Sequence, residues 1–378
     1  MTSLPDGPAA RFDVAVVGGG VVGLAHAWHA VRAGLRVVVL ERDEFAVGAS
    51  IRNFGHVCTT AQSGIAYEYA LRARSEWLTL AQDAGIPVVE AGTVVVARRP
   101  EELAVLEEFV DERGDDVVML TVDQLGESAG FTAPGALGGA WLSLDLRVDS
   151  PTAIPAFAAH LASLGVEFRY RTNVLAVVSG RVVTARGDVQ ADRIIVAVGH
   201  DVDRFYPDLA DEHGVLRCRL RMLEADAPLG ITVGPGIFTG SSLLRYGGFA
   251  ETQAAQALRE ALDRDAPALG AHGVNLMFTQ RPAPSDVAGR LVLGDTHHYS
   301  LTETPFEDDA SDELLLAEFR ALLGTDELVV RRRWRGVYAS SPKGPYLVAS
   351  PEPGVTAVSV TSGIGMTTAL GLAASVLD

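Results

Sequence analysis

The chain begins with two short apolar runs on either side of a glycine-rich turn, and this arrangement restricts its fold more than any other feature. Residues 12–17 form a β-branched run typical of a buried parallel strand, and GGGVVG follows at once at 18–23. Residues 24–33 have helical composition, and residues 36–40 form a second apolar run that is followed by Glu41. Together these segments predict a βαβ unit that binds a dinucleotide.

Each glycine of the turn has its own role in such a unit. Gly18 permits the tight turn, Gly20 lets the backbone approach a pyrophosphate, and Gly23 lets the helix pack closely on the strand. The helix N-terminus offers free N–H groups and the positive end of its dipole to the phosphates. Glu41 can accept hydrogen bonds from ribose hydroxyls, and an acid at this position disfavours a 2′-phosphate. The cofactor is therefore predicted to be NAD or FAD.

The rest of the chain returns to this domain twice, which favours FAD. The first return is predicted over 165–199 and ends in a buried strand that begins at 192. The second consists of a strand at 355–360, the turn GIGMT at 363–367 and an apolar helix to residue 377. A second helix N-terminus that begins with glycine suits a ligand that has a further group to bind besides one pyrophosphate, such as the carbonyl of an isoalloxazine ring. An NAD enzyme usually completes its nucleotide domain in one stretch, so NAD is the least favoured alternative.

Several segments together resemble the D-amino acid oxidase/glycine oxidase family of flavoproteins, across essentially the whole chain. These segments are the turn at 18–23 with Glu41, GASIRNFG at 48–55, the strand at 194–199, and WRG at 334–336 before the turn at 363–367. Within that family the chain is most similar to a branch found with phosphonate metabolism. Members of that branch carry segments like GASIRNFG and like GDTHHY, which stands here at 294–299.

The resemblance implies an α/β fold: a Rossmann-like FAD-binding domain of the glutathione-reductase type beside a mixed-sheet α+β substrate domain. The FAD-binding domain is expected to be discontinuous and to comprise residues 1–91, 145–216 and 331–378, and the substrate-binding domain to comprise residues 92–144 and 217–330. Strands are predicted at 274–278 and 291–293, and an amphipathic helix at 311–323.

The glycine turn and the resemblance together assign the residues that hold FAD. They are Gly18, Gly20, Val22, Gly23, Glu41, Arg42, Ser50, Arg52, Asn53, Val174, Gly199, Gly363, Ile364, Gly365, Met366 and Thr367. Some relatives attach FAD through a histidine at the place where this chain has Arg52. Others use a cysteine near the position of Trp334, where this chain has none. The resemblance therefore implies noncovalent FAD.

The position after the Trp-x-Gly segment departs from the family pattern. Family members commonly place a carboxylate-binding arginine just after it, whereas WRGV at 334–337 is followed here by Tyr338. A tyrosine hydroxyl cannot supply a bidentate ionic contact, so the group that binds the substrate anion must come from elsewhere. Several scattered donors suit a tetrahedral phosphonate better than a planar carboxylate. The candidates for substrate binding are Arg245, Tyr246, His297, His298, Tyr338, Lys343 and His56.

Most of these candidates also have a structural interpretation. Arg245 can pair with Glu251, Lys343 lies in an SPKG loop that water can solvate, and His56 can simply fill the interior. His297 and His298 are adjacent, so in a strand they point to opposite faces and at most one is expected to face the substrate. No metal site is predicted, because no third ligand has suitable spacing.

The predicted reaction is the oxidation of a small amine that bears an acidic group. Flavin N5 takes a hydride from the carbon next to the amine, the imine hydrolyses, and dioxygen reoxidises the flavin to give hydrogen peroxide. No side-chain base is required if the amine arrives neutral. The preferred substrate is an aminophosphonate such as 2-aminoethylphosphonate or its N-methyl form, and glycine, sarcosine or a D-amino acid is the alternative. A flavin dehydrogenase with another electron acceptor and a flavin-binding protein without turnover also remain open.

Composition excludes several classes of partner. The chain has 31 Lys and Arg against 48 Asp and Glu, a net charge of −17, which disfavours nucleic acid and anionic membranes. No apolar run approaches the ~20 residues of a membrane span, and residues 1–11 lack the apolar core of a signal peptide. Cys58 and Cys218 offer no disulfide framework. A cytoplasmic protein is expected, and a homo-oligomer remains open.

Overall fold

A computed structural model of the chain describes residues 11–282 and 289–377, so most of the N-terminal segment examined for a signal peptide lies outside the described residues. The strands are β1 Arg11–Val17, β2 Val37–Leu40, β3 His56–Val57, β4 Val88–Val89, β5 Thr93–Ala97, β6 Val117–Leu120, β7 Gly138–Leu142, β8 Leu146–Val148, β9 Glu167–Arg169, β10 Val174–Val178, β11 Arg181–Thr184, β12 Val189–Val196, β13 Leu216–Asp226, β14 Gly236–Thr239, β15 Met277–Gln280, β16 Arg290–Gly294, β17 His298–Ser300, β18 Val330–Ser340, β19 Tyr346–Glu352 and β20 Val355–Val360. The helices are α1 Val21–Arg32, α2 Gly64–Ala84, α3 Pro100–Arg113, α4 Val122–Ala129, α5 Ser150–Ser163, α6 Pro207–His213, α7 Gly247–Ala250, α8 Ala254–Asp265, α9 Pro267–Ala271, α10 Asp309–Leu323 and α11 Gly365–Leu377.

An eight-stranded sheet contains the predicted βαβ unit and both returns of the chain. Strand β1 pairs in parallel with β2 and with β12, and β2 pairs in parallel with β9. The carboxyl half of β12 pairs in parallel with β20, while its amino half pairs with β11 of an antiparallel ribbon. Strands from three separate stretches of the chain therefore lie side by side, as the sequence predicts.

The glycine turn between β1 and α1 has the close packing that its sequence predicts. Helix α1 begins directly after Gly20. Gly18 has φ +107°, a conformation that favours glycine. A Cβ atom at Gly23 would collide with the carbonyl oxygen of Gly18 and would lie 3.1 Å from Cγ1 of Val16. Only glycine at position 23 lets α1 lie this close to β1.

A nine-stranded mixed sheet forms the second layer. Its order is β17-β13-β16-β15-β14-β5-β7-β6, and β18 pairs with β13 as well. Strands β5 and β14 are parallel, whereas the other pairs are antiparallel. The mixed α/β architecture predicted from the sequence is confirmed. A small three-stranded sheet, β3-β8-β4, completes the β-structure of the described residues.

Sheet membership supports two domains, with one change to the expected boundaries. Strands β5 to β7 and β13 to β18 belong to the nine-stranded sheet, and the strands before β3 and after β18 belong to the eight-stranded sheet. Strand β18 pairs with β13 and reaches Ser340, so we place the proposed start of the last FAD-domain segment after residue 340, whereas the sequence predicts 331. We propose the predicted division of the chain with this corrected boundary.

Three mid-chain predictions differ in accuracy. Helix α10 and strand β16 lie where the sequence predicts them. Strand β15 begins only at Met277, three residues later than predicted. Before it, Asn275 and Asp295 exchange two backbone hydrogen bonds of 2.9 and 2.8 Å, and their side chains are buried. This pairing extends the β15–β16 ladder to the edge of a large cavity.

The C-terminal helix α11 packs against α1 and α2 over a core rich in aromatic residues. Trp28, Trp77 and Phe157 are fully buried there. The indole N–H of Trp77 donates a 2.9 Å hydrogen bond to the carbonyl of Met366 in the first turn of α11. This contact anchors the second glycine turn. Among the described helices, none combines the length and apolar character needed to cross a membrane.

Candidate active site

A cavity of about 470 Å³ runs from the carboxyl ends of β1, β2 and β12 to the face of the nine-stranded sheet. In open α/β sheets, ligands bind outside the carboxyl ends of the parallel strands. The volume lies in the range of small-molecule sites. The cavity thus joins the predicted cofactor region to residues of the second sheet.

One end of the cavity is built from the first glycine turn. The hydroxyl of Ser50 accepts a 2.9 Å hydrogen bond from the N–H of Val21, at the start of α1. A Cβ at Gly20 would lie 3.0 Å from that hydroxyl. The carboxylate of Glu41 accepts hydrogen bonds from the N–H groups of Gly19 (2.9 Å) and Asp43 (3.0 Å). The acid predicted to bind ribose is therefore held at the cavity wall.

A second glycine turn borders the middle of the cavity. Gly363 has φ +77°, and a Cβ there would lie 2.8 Å from the ring of Tyr338. Gly363, Ile364, Gly365 and Met366 all line the cavity. Thr367 does not: its side chain is buried, and its hydroxyl accepts a 3.1 Å hydrogen bond from the N–H of Cys58. The expectation that Thr367 contacts the cofactor is therefore corrected, because α11 turns this side chain into the interior.

Most of the predicted cofactor residues lie together. Those that line the cavity are Gly18, Gly20, Val22, Glu41, Arg42, Ser50, Arg52, Asn53, Val174, Gly199, Gly363, Ile364, Gly365 and Met366. Gly23 lies behind the turn, where its role is the close helix–strand packing. Arg42 donates a 2.8 Å hydrogen bond to the buried carboxylate of Asp201, an acid that the sequence reasoning missed.

The 48–55 segment is held against strand β18. The Arg52 guanidinium donates a 3.1 Å hydrogen bond to the carbonyl of Arg335, and the indole N–H of Trp334 donates one of 3.1 Å to the carbonyl of Arg52. The Asn53 amide donates to the carbonyls of Ala49 and Ser50 at 2.9 and 3.0 Å. These contacts join two segments on which the family resemblance rests, on one side of the cavity.

Arg245 and Tyr338 meet at the opposite end. The guanidinium of Arg245 donates hydrogen bonds of 2.6 Å to the Tyr338 hydroxyl and 3.2 Å to the carbonyl of Ser362. Tyr246 stacks on Phe238 with ring centroids 4.9 Å apart. Burial raises the pKa of both tyrosines well above the ordinary value, so their hydroxyls stay protonated. Arg245, Tyr246 and Tyr338 line the cavity, and their role in substrate binding stays a prediction.

An acid, an amide and one histidine complete this end. Asp295, Asn275 and His297 line the cavity. The imidazole Nδ1 of His297 lies 3.0 Å from the carbonyl of Gly273, and its Nε2 lies 3.8 Å from the Asp295 carboxylate. Burial, reinforced by the charge of Arg245, lowers the pKa of His297 to about 3, so this imidazole is neutral.

The ionisation of Asp295 is shifted in the opposite direction. Burial raises the pKa of its carboxyl to about 7, although the charge of Arg245 and a hydrogen bond from Asn275 act against the rise. Neither Asp295 nor Asn275 is among the site residues predicted from the sequence, although Asp295 belongs to the GDTHHY segment. Asp295 lies two residues before His297 in GDTHHY, and this proximity is the sequence signal that could have found it.

Two predicted substrate residues lie outside the cavity. His298 points the other way from His297, into a separate cavity of about 190 Å³ beside Arg219 and Thr296. Of the two histidines, His297 lines the main cavity and His298 the smaller one, and the expectation that at most one of them faces the substrate stays a prediction. The ammonium of Lys343 donates to the carbonyl of Glu212 on the exposed surface. Placing His298 and Lys343 at the substrate site was wrong, because His298 begins β17 and lines the smaller cavity, and the loop after β18 carries Lys343 to the surface.

His56 also lies outside the cavity. It is buried, and its Nε2 lies 2.6 Å from the hydroxyl of Thr93 and 3.1 Å from the carboxylate of Asp145. Placing His56 at the substrate cavity was wrong, since β3 directs it toward these polar partners. Its ring, Cys58 and Asp145 offer three atoms at metal-binding spacing. However, Thr60 and Thr93 already donate hydrogen bonds to the two oxygens of Asp145, and burial raises the pKa of the Cys58 thiol well above its usual value.

A family model described as FAD dependent oxidoreductase, DAO, matches residues 13–378. The chain belongs to this family. Among curated proteins, it is 27% identical over 215 residues to one of the subunits of an opine oxidase from Rhizobium meliloti, a match that covers 52% of this chain and 58% of that protein. It is 26% identical over 204 residues to glycine oxidase of Bacillus licheniformis, with 50% and 54% covered. The matched stretches thus span little more than half the length of these curated relatives.

Solved structures of DAO-type flavoproteins cover nearly the whole chain. Glycine oxidase from Geobacillus kaustophilus superposes with a TM-score of 0.76 at 21% identity, over 97% of this chain and 94% of that one. The FAD-bound L-α-glycerophosphate oxidase from Mycoplasma pneumoniae superposes with a TM-score of 0.75 at 18% identity, over 97% and 94%. At these identities the likeness establishes the fold.

The cavity of this DAO-family chain fits FAD, the cofactor of the family. A glycine-lined cradle at the start of α1 leaves space where a side chain would otherwise project, and an acid stands at the end of β2. A second glycine-led helix N-terminus follows farther along the same cavity. FAD carries a pyrophosphate, a ribose and an isoalloxazine ring. The first glycine turn would hold the pyrophosphate, the acid after β2 the ribose, and the second helix N-terminus the isoalloxazine ring.

Proposed function

We propose that this protein uses FAD to oxidise a small amine that bears an acidic group. When bound, FAD accepts a hydride from the carbon next to the amine. The observation that carries the proposal is the pair of opposite charges at one end of the cavity, Arg245 and Asp295, beside the second glycine turn. A zwitterion with its anion toward Arg245 and its amine toward Asp295 matches this pair. Cavity walls that exclude water strengthen both contacts.

The names of the relatives support an amine as the substrate class. Opine oxidase and glycine oxidase are among the curated matches, as is a γ-glutamylputrescine oxidoreductase of Escherichia coli at 30% identity over 227 residues. Iminodiacetate oxidase from Chelativorans superposes with a TM-score of 0.73 at 17% identity. These names denote different amines, so they support the chemistry of the reaction rather than one substrate.

An aminophosphonate, 2-aminoethylphosphonate or its N-methyl form, is the substrate class we favour within this reaction. Tyr338 occupies the position after WRGV. Its hydroxyl accepts a hydrogen bond from the guanidinium of Arg245, which lies 93 positions away in the chain. Donors that approach from different elements surround a tetrahedral group better than they grip a flat carboxylate. The GASIRNFG and GDTHHY segments support membership of the phosphonate-associated branch, which we also propose.

A matched pair of substrates tests this preference. N-methyl-2-aminoethylphosphonate and N-methyl-β-alanine share the amine and the carbon spacing and differ in the anion. We expect kcat/KM for the phosphonate to be at least about tenfold higher, equivalent to about 1.4 kcal/mol. Equal values, or a preference for the carboxylate, glycine or sarcosine, would retain the amine chemistry and reject the phosphonate.

Dioxygen is the electron acceptor we propose. Relatives named as oxidases support this choice, whereas the L-proline dehydrogenase of P. horikoshii, with a TM-score of 0.75 at 16% identity, shares the same fold. The two possibilities differ in how fast the substrate-reduced holoprotein recovers its flavin absorbance in air. Rapid recovery with formation of hydrogen peroxide is expected, and a reduced flavin that persists in air would indicate a dehydrogenase.

FAD is held noncovalently in our proposal. The described residues that line the cavity include no cysteine, and Arg52 stands in the 48–55 segment where some relatives have the attaching histidine. Acid precipitation of the holoprotein should therefore release all of its flavin into the supernatant. Flavin that remains with the precipitated chain on a denaturing gel would contradict this proposal.

A further inference from the structure

Asp295, the acid toward which the proposed function places the amine, is buried at the substrate end of the cavity, and its part in the reaction itself has not been assigned. Its side chain is 3% exposed, yet it lines the cavity. Asn275 donates a 3.2 Å hydrogen bond to one of its oxygens. Asp295 and Arg245 both belong to the described residues, and no ion pair joins their side chains: Arg245 contacts Tyr338, and Asp295 lies near His297. The carboxylate thus retains acceptor positions toward the cavity.

A second acceptor lies beside it. The Oδ1 atom of Asn275 is buried and has no hydrogen-bond partner among the described residues. An unpaired buried acceptor is costly unless a ligand or water satisfies it. A carboxylate and a carbonyl oxygen side by side at a cavity wall match the donors of an ammonium group.

The other titratable groups that face Asp295 are Arg245, Tyr246, Cys218, His297 and Tyr299. Burial raises the pKa of the two tyrosines and of the Cys218 thiol, and it lowers the pKa of His297 to about 3. Near neutral pH these four groups are uncharged. Within this set Asp295 is the strongest available base, because Arg245, the tyrosines and the thiol are already protonated and the low pKa of His297 makes its imidazole a much weaker proton acceptor.

We propose that Asp295 binds the substrate ammonium and removes one of its protons before oxidation, an inference that rests on the proposed function. An N–H bond breaks, an O–H bond forms on the carboxyl, and the amine is left neutral with its lone pair free. FAD, when bound, would then take a hydride, the hydrogen with its bonding electron pair, from the carbon next to the nitrogen, and the nitrogen lone pair would form the C=N bond of an iminium product. The proton remains on Asp295 until the product leaves.

The proton transfer makes the rate depend on pH in a defined direction. Asp295 must be deprotonated to accept a proton, so the second-order rate constant of flavin reduction, kred/Kd, should rise with pH through about 7, the pKa of the carboxyl in the ligand-free site. In D295N the amide cannot accept a full proton, and the rate should follow the amine itself, whose pKa resembles the ~10.4 of a lysine side chain. A general base contributes about 10²–10⁴ in rate. We expect D295N to be slower by about this factor near pH 7 and to approach the wild type near pH ~10.

Stopped-flow reduction of the holoenzyme by 2-aminoethylphosphonate, with glycine as a parallel probe, measures these profiles. Binding of propylphosphonate and propionate, which replace the amine by a methyl group, is followed in parallel by the shift of the flavin spectrum. The Kd of D295N for both analogues should lie within about threefold of the wild-type value, because neither analogue has the ammonium group that Asp295 binds. A structural role alone would instead weaken the analogues together with the amines.

Failure of this inference and failure of the proposed function give different results. If wild-type flavin is reduced but its rate does not change through neutral pH, or D295N keeps the wild-type profile, Asp295 is not the proton acceptor. The wild-type profile with glycine, whose carboxylate does not titrate near neutral pH as a phosphonate does, decides this even if D295N loses its flavin. If no amine reduces the wild-type flavin, the proposed function is wrong, and the role of Asp295 falls with it.

Discussion

Replacing Arg245 with methionine should abolish most of the affinity for the substrate anion while leaving the flavin in place. Arg245 reaches Tyr338 and Ser362 at the substrate end of the cavity, and it carries the charge that an acidic group would meet there. Removing one partner of a buried charge pair costs about 2–5 kcal/mol. That range corresponds to a fall in kcat/KM of roughly 30- to 4,000-fold, measured by flavin reduction with 2-aminoethylphosphonate.

Lys343→Met is the matched control for Arg245→Met. Both positions are basic, and the sequence selects both as anion-binding candidates, but Lys343 contacts the carbonyl of Glu212 at the surface. The Lys343 variant should keep kcat/KM within about twofold of the wild type, since substitutions of exposed side chains away from special features have small effects. A large loss in the lysine variant together with little change in the arginine variant would reverse this assignment.

Replacing Gly23 with alanine should prevent FAD binding and destabilise the FAD-binding domain. The added methyl group would collide with the carbonyl of Gly18, which is backbone and cannot rotate away as a side chain can. Overpacking of this kind costs about 1–3 kcal/mol and sometimes more, and each kcal/mol lowers the melting temperature of a large domain by about 2–4 °C. Helix α1 must also move away from β1, which displaces the N–H groups that face the pyrophosphate. Flavin content after purification and the melting temperature measure the two effects.

Gly270→Ala separates this collision from a general effect of losing a glycine. A Cβ at Gly270 would have Asp263 Oδ1 as its nearest neighbour at 3.7 Å, an ordinary contact, and φ at this position does not require glycine. The control should retain its FAD and its melting temperature. If the Gly23 variant also purifies with full flavin and an unchanged melting temperature, the close contact between α1 and β1 is not needed for FAD binding.

The cofactor end of the site could be predicted from the sequence because its signals are local. Apolar runs, a glycine spacing and an acid at a strand end lie within residues 12–41, and each has a direct physical meaning. The two returns of the chain could also be predicted, because buried parallel strands are continuous apolar runs.

The substrate end could be predicted only in part because its contacts join distant segments. The imidazole of His56 contacts the carboxylate of Asp145, a residue 89 positions away in the chain. The residues next to His56 in the sequence therefore do not indicate this contact. The direction of the loop that carries Lys343 is set by tertiary contacts rather than by a periodic pattern. Asp295 acquires its unusual ionisation from burial, and burial at an isolated acid has no signature in one sequence.

The most direct test of the account is anaerobic reduction of the purified flavoprotein, followed by the flavin absorbance. The panel comprises 2-aminoethylphosphonate, its N-methyl form, glycine, sarcosine and several D- and L-amino acids. The account predicts that at least one amine bearing an acidic group bleaches the flavin, with an aminophosphonate the most effective. A protein that binds no flavin after FAD is added, or a bound flavin that no amine on the panel bleaches, would contradict it.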